Sequence, residues 1–127
     1  MTQAIIFRFA AVAMAVGVAC GAFGAHALKE RLTPGDLAIW QTAVLYQVFH
    51  ALALIGIAAM WPLFSGARAD WGVRLLMAGM VIFSLSLYLL VLTGPRWLGA
   101  ITPIGGTSMI LGWLMLATAS IQSIRSF

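Results

Sequence analysis

Polar and apolar positions along this chain fall into long blocks. Four runs carry no charged residue and are overwhelmingly apolar: residues 9–28, 37–65, 75–93 and 104–124. Each approaches or exceeds the ~20 residues that an α-helix needs to cross a ~30 Å hydrocarbon core. Lipid offers the backbone no hydrogen bonds, so such segments must satisfy their own amides as helices. The pattern therefore predicts an all-α membrane protein. It is a compact bundle of four transmembrane helices, arranged as two antiparallel hairpins, over residues 9–28, 37–64, 72–93 and 103–124.

The connections support this division. Lys29-Glu30-Arg31 closes the first run, and Thr33-Pro34-Gly35-Asp36 follows as a helix start. Thr33 is placed as N-cap, Pro34 at the first helical position, and Asp36 in the first turn. Arg68 and Asp70 separate the second run from the third, and Gly94-Pro95 stops the third. Thr102-Pro103 repeats the Thr-Pro start signal and is expected to open the fourth helix. Trp40, Trp61, Trp71 and Trp97 fall near run edges and read as interfacial anchors, whereas Trp113 falls deep in the fourth run.

Composition agrees. Of 127 residues, 63% are hydrophobic and 8% charged, against roughly 25% charged in soluble domains. A chain this short cannot hide that much apolar surface from water. The net charge of +4 does not indicate nucleic acid, because the seven basic residues are scattered at the edges of the runs. With an inside N-terminus, Arg8, Arg68, Arg74 and Arg125 fall on the inner side against Lys29, Arg31 and Arg96 outside. That four-to-three margin places both termini in the cytoplasm. Arg8, the apolar stretch and Ala25-His26-Ala27 also resemble a cleavable signal peptide, but the run is longer than a signal core. Retention as a membrane helix is the expectation.

Candidate chemistry is confined to a few positions. Gly17, Gly21 and Gly24 lie along one side of the first helix, a stripe that lets a second backbone approach, within the bundle or between protomers. The second helix is the most polar, with Gln41, Thr42, Tyr46, Gln47 and His50. His50 falls near the centre of its run, where an ionisable group is costly unless it faces the bundle interior. Depth matching against an antiparallel third helix sets His50 beside Ser84 and Gln47 beside Tyr88. A buried polar cluster of Gln47, His50, Ser84 and Tyr88 is therefore expected, serving as helix-to-helix glue, a proton or solute relay, or a ligand site. His26 lies near the outer interface, away from His50. No set of ligands converges as a metal site requires, no phosphate loop or nucleophile elbow is present, and no two carboxylates pair. No catalytic residue, cofactor or metal is assigned.

Three blocks then occur in order: Gly21-Ala22-Phe23-Gly24-Ala25-His26-Ala27-Leu28; Trp40-Gln41-Thr42-Ala43 with Tyr46 and His50-Ala51-Leu52-Ala53-Leu54; and Leu92-Thr93-Gly94 leading to Leu98-Gly99-Ala100-Ile101-Thr102-Pro103-Ile104-Gly105-Gly106 and Gly112-Trp113. Together they resemble the domain-of-unknown-function 423 family, the YgdD-like small inner-membrane proteins, whose eukaryotic relatives are called transmembrane protein 256. The resemblance covers nearly the whole chain. It implies a four-helix bundle in the bacterial cytoplasmic membrane and no particular activity. It marks His26, Tyr46, His50, Thr93, Thr102 and Pro103 as motif positions.

The reading that fits these features is a small multi-pass membrane protein, a non-enzymatic accessory or self-associating component whose partners are the bilayer and a second copy or membrane complex. The alternatives are a transporter or channel subunit using the polar layer around His50, and a membrane enzyme acting on a lipid or quinone. Mass spectrometry of the mature protein is expected to return the mass of a chain that keeps residues 9–28; a loss of the first 25 or so residues would show cleavage.

Overall fold

A computed structural model describes residues 1–123. Its four long helices are α1 (Gln3–Phe23), α2 (Pro34–Met60), α3 (Ala67–Thr93) and α4 (Leu98–Ala117). All four are long and apolar enough to cross a membrane. A wider π-helical turn, Gly24–Leu28, extends α1, and a 3-10 turn, Trp61–Leu63, ends α2. The fold is an all-α four-helix bundle in which consecutive helices run antiparallel and pack as neighbours.

Helix starts follow local chemistry. Thr33 caps α2, its hydroxyl accepting from the Asp36 amide at 3.1 Å, with Pro34 opening the helix and Asp36 in the first turn. Thr2 caps α1 in the same way, accepting from the Ile5 amide at 3.3 Å. All four helices nevertheless begin earlier than their apolar runs, at Gln3, Pro34, Ala67 and Leu98. Hydropathy reports where hydrocarbon begins, whereas a helix continues through the polar interface. Arg8 therefore lies in α1, and Arg68, Asp70 and Arg74 lie in the first two turns of α3. Asp70 is held there by the Met1 amino group at 2.7 Å and by Arg74 Nε at 2.7 Å.

The fourth helix departs most from expectation. Pro103 does not open it but lies inside, after a first turn tightened by bonds from Leu98 N to Pro95 O, Gly99 N to Arg96 O and Ala100 N to Trp97 O. Nor does the helix run to 124. The Thr118 hydroxyl bonds back to the Leu114 carbonyl at 2.9 Å, and the α-helix ends at Ala117. Hydroxyl side chains compete with the backbone in this way. The chain then turns back, and β2 (Ser120–Ile121) pairs antiparallel with β1 (Phe64–Ser65), which leads into α3. Position 124 itself, like Arg125, lies outside the described residues.

The closest helix pair is α3 with α4. Gly72 faces Gly112 and Gly79 faces Gly105, so backbone meets backbone at two points seven residues apart on each helix. A Cβ on Gly79 would stand 2.7 Å from the Gly105 carbonyl oxygen, and one on Gly112 would stand 2.8 Å from that of Gly72. Lipid tails give helices no hydrophobic reason to associate, so contact area at short range supplies the attraction. By contrast, Gly17, Gly21 and Gly24 of the first-helix stripe receive side chains of α2: Val48, Val44 and Trp40 respectively. The stripe is used within the chain. Around the α3–α4 seam a core of Ile6, Ala10, Leu54, Val73, Leu76, Met80 and Met109 joins all four helices.

Gly79→Ala is expected to lower the thermal midpoint in detergent by the equivalent of roughly 1–3 kcal/mol, the usual cost of overpacking. Gly56→Ala, whose Cβ would meet nothing within 4 Å, is expected to leave the midpoint unchanged or raise it. Equal effects from the two substitutions would remove the seam from its structural role.

Candidate functional site

Gln47 is the middle residue of α2, and the polar layer is built on it. Its Nε2 donates to the Ala13 carbonyl of α1 at 2.8 Å, and its Oε1 accepts from the Tyr88 hydroxyl of α3 at 2.7 Å. One amide thus ties three helices together. Cα–Cβ bonds tilt toward the N-terminus of their own helix. In an antiparallel pair, Gln47 and Tyr88 therefore lean toward each other and meet between their own levels. Ser84 lies beside them and donates to the Ala43 carbonyl at 2.8 Å. All three residues are buried. Tyr88 also packs on the Trp40 ring, with centroids 4.6 Å apart.

His50 does not join this group. Ser84 lies level with Ala43, about two turns of α2 away. The depth match fails because α3 starts at Ala67, which moves its centre from Ser84 to Met80. His50 faces α4 instead. Its Nδ1 lies 2.9 Å from the Tyr46 carbonyl, and its Nε2 lies 3.2 Å from the Trp113 indole nitrogen. A carbonyl can only accept and an indole N–H can only donate. The pair of bonds therefore assigns a neutral imidazole with its proton on Nδ1. Tyr46 stacks parallel to His50 and tilts against Phe83, and both Tyr46 and Trp113 are exposed at the α2–α4 face.

The other motif positions have separate surroundings. His26 is exposed in the π turn. The Thr93 hydroxyl bonds back to Leu89 O within α3. The Thr102 hydroxyl pairs with Ser86 at 2.7 Å and helps join α4 to α3, and Pro103 is exposed. Two further cross-helix bonds carried no clear sequence signal: Ser108 to the Leu75 carbonyl at 2.9 Å, and Trp40 Nε1 to the Cys20 carbonyl at 2.9 Å. Trp40 is therefore a core residue and not an interfacial anchor, being 3% exposed. Cys20 O already receives the Gly24 amide, and the helix widens to the π form from that point. The seam glycines did leave a signal, since Gly72–Gly79 and Gly105–Gly112 share a seven-residue spacing.

A cavity of about 250 Å³ opens between α1 and α3, with Gln47, Ser84 and Tyr88 at its floor and apolar walls that include Phe9, Val12 and Val81. Neither histidine lines it. Among the described residues, no three His, Cys, Asp or Glu side chains gather as metal ligands would. No buried side-chain nitrogen or oxygen there lacks a hydrogen-bond partner. The layer's polar atoms are bonded across helices, mostly to carbonyl oxygens.

A family model described as Protein of unknown function (DUF423) matches residues 20–106, from the carbonyl that receives Trp40 to the glycine pair Gly105-Gly106 within α4. The chain belongs to this family. It is similar to the UPF0382 membrane protein of Staphylococcus epidermidis, 47% identical over 112 residues, covering 86% of this chain and 87% of that one. A Staphylococcus aureus UPF0382 membrane protein is 45% identical over 109 residues, with 86% and 87% covered. The UPF0382 membrane protein YwdK of Bacillus subtilis is 42% identical over 113 residues, with 86% and 88% covered. No solved structure matches the chain. With four helices of spanning length and apolarity, this member of the DUF423 family is a membrane protein.

In a double-mutant cycle, Gln47→Leu and Tyr88→Phe are expected to show a coupling of about 0.6 kcal/mol, the average for an interhelical bond in a membrane. The readout is unfolding in mixed detergent. Strictly additive losses would mean that the 2.7 Å bond contributes nothing.

Proposed function

We propose that this protein is a non-enzymatic accessory or self-associating component of the bacterial cytoplasmic membrane, meeting its partner through the face between α2 and α4. Tyr46 carries the reading. It adjoins Gln47 at the middle of α2, is 41% exposed, and its hydroxyl has no hydrogen-bond partner among the described residues. Hydrocarbon cannot bond to that hydroxyl, and a polar group left in lipid is costly. His50 and Trp113 flank it, Trp113 being 40% exposed. A second protein surface covering the three side chains removes that cost. Within the bundle, Gln47, Ser84 and Tyr88 act as structural bonds between helices, which also favours a component that assembles over one that turns over a substrate.

The positive-inside margin favours cytoplasmic termini. The start of α1, the α2–α3 connection and the end of α4 share one end of the bundle, through the Met1–Asp70 pair and the β1–β2 pairing. Arg68 and Arg74 lie at that end.

Native mass measurement after mild-detergent extraction tests the reading. Wild type is expected as a dimer or with a co-purifying membrane partner. The double variant Tyr46→Phe, His50→Gln is expected to weaken association about tenfold, or roughly 1.4 kcal/mol, while keeping its thermal midpoint. A strictly monomeric wild type without a partner, or an assembly unchanged in the double variant, refutes it.

A further inference from the structure

Two cavities lie in line along the α1–α3 groove. The first, about 250 Å³, ends on Gln47, Ser84 and Tyr88; the second, about 440 Å³, includes Arg74 in its wall. They share Phe9 and Val81, so they adjoin as one channel open to the side. From Arg74 to Tyr88 the channel follows α3 for fourteen residues, about 21 Å at 1.5 Å per residue. One leaflet of hydrocarbon is about 15 Å deep, half of the ~30 Å core. The channel therefore has the length to hold an acyl chain lengthwise.

We propose that this groove binds one anionic phospholipid, its acyl chain against Phe9, Val12 and Val81 and its phosphate at Arg74. The inner end favours hydrocarbon over a polar ligand. The Tyr88 hydroxyl is committed to Gln47, the Ser84 hydroxyl to Ala43 O, and the Gln47 amide is bonded through both its nitrogen and its oxygen. The outer end favours negative charge. Arg74 binds Asp70 through Nε and lies 5.7 Å above the Trp71 ring, and among the described residues no bond occupies its two terminal nitrogens, the fork that suits phosphate oxygens. Among the described residues Asp70 is the one carboxylate there, and it is shared with the Met1 amino group. Arg8, exposed and one turn from Val12 on α1, adds a second cation at the same end. This site does not depend on the α2–α4 face.

Native mass spectrometry in mild detergent, with dioleoyl-phosphatidylglycerol and dioleoyl-phosphatidylcholine as probes, tests the proposal. Wild type is expected to retain a single phosphatidylglycerol about tenfold more tightly than phosphatidylcholine. Val81→Trp fills the groove from α3 and is expected to abolish the adduct with either lipid. Val12→Trp does so from α1 at a position 65% exposed, which secures the test if the first variant misfolds. Arg74→Gln is expected to retain both lipids equally. Equal retention of the two lipids by wild type, or a phosphatidylglycerol preference that survives Val12→Trp, overturns it.

Discussion

The contact of α3 with α4 through bare backbone sets the geometry of this bundle. Gly72 meets Gly112 and Gly79 meets Gly105, and side chains at those four positions would force the helices apart. Water would reward burial of any apolar surface, but lipid does not, so helices must gain by fitting closely. Having met at two points seven residues apart, α3 and α4 hold a fixed register. That register places Ser86 against Thr102 and Ser108 against the Leu75 carbonyl. The α3–α4 hairpin then presents one wall on which α2 packs, and α2 in turn carries α1.

Polar side chains supply the remaining specificity. Apolar packing in lipid tolerates sliding and rotation, whereas a buried hydroxyl or amide has few acceptable partners. Gln47 bonds α1 and α3 at once, and Trp40 reaches the Cys20 carbonyl one to two turns nearer the opposite end from the termini. Each bond is worth little alone, but together they select one azimuth for each helix. Two places where enclosure is incomplete are informative. The α2–α4 face leaves Tyr46 uncovered, and the α1–α3 groove leaves a channel that ends in arginine. One is a polar group in an apolar medium, and the other is an apolar slot with a cationic mouth. These are opposite mismatches, which is why the first suits a protein surface and the second a lipid.

Legibility in the sequence followed the range of the physics. The Thr33-Pro34-Asp36 start was readable because capping involves residues three apart. Depth matching paired Gln47 with Tyr88, and the two do meet because both side chains lean toward their own helix starts. The same depth matching misplaced His50, since it took the apolar run for the helix and set the centre of α3 one turn too far along. Pro103 misled for a related reason. A Thr-Pro pair signals a helix start wherever it stands, and nothing local reveals that Leu98 to Ala100 have already formed a turn. The glycine stripe of α1 was noticed because its spacing is short. The more consequential pairs on α3 and α4 were not, because their meaning lies in matching intervals on two separate segments.

By itself the sequence determined the solvent, the number of crossings and the side chains available to a polar layer. Those depend on transfer free energy summed along single segments and on which side chains can bond at all. It also determined the family, through ordered blocks spread over the chain. Tertiary structure alone decided which polar groups are used up and which are left over. Whether His50 turns to Ser84 or to Trp113, whether Trp40 anchors at the interface or fills the core, and whether a slot opens between α1 and α3 all depend on helix azimuth and relative height. Those variables are fixed by close contact between segments distant in the chain, and no local pattern encodes them.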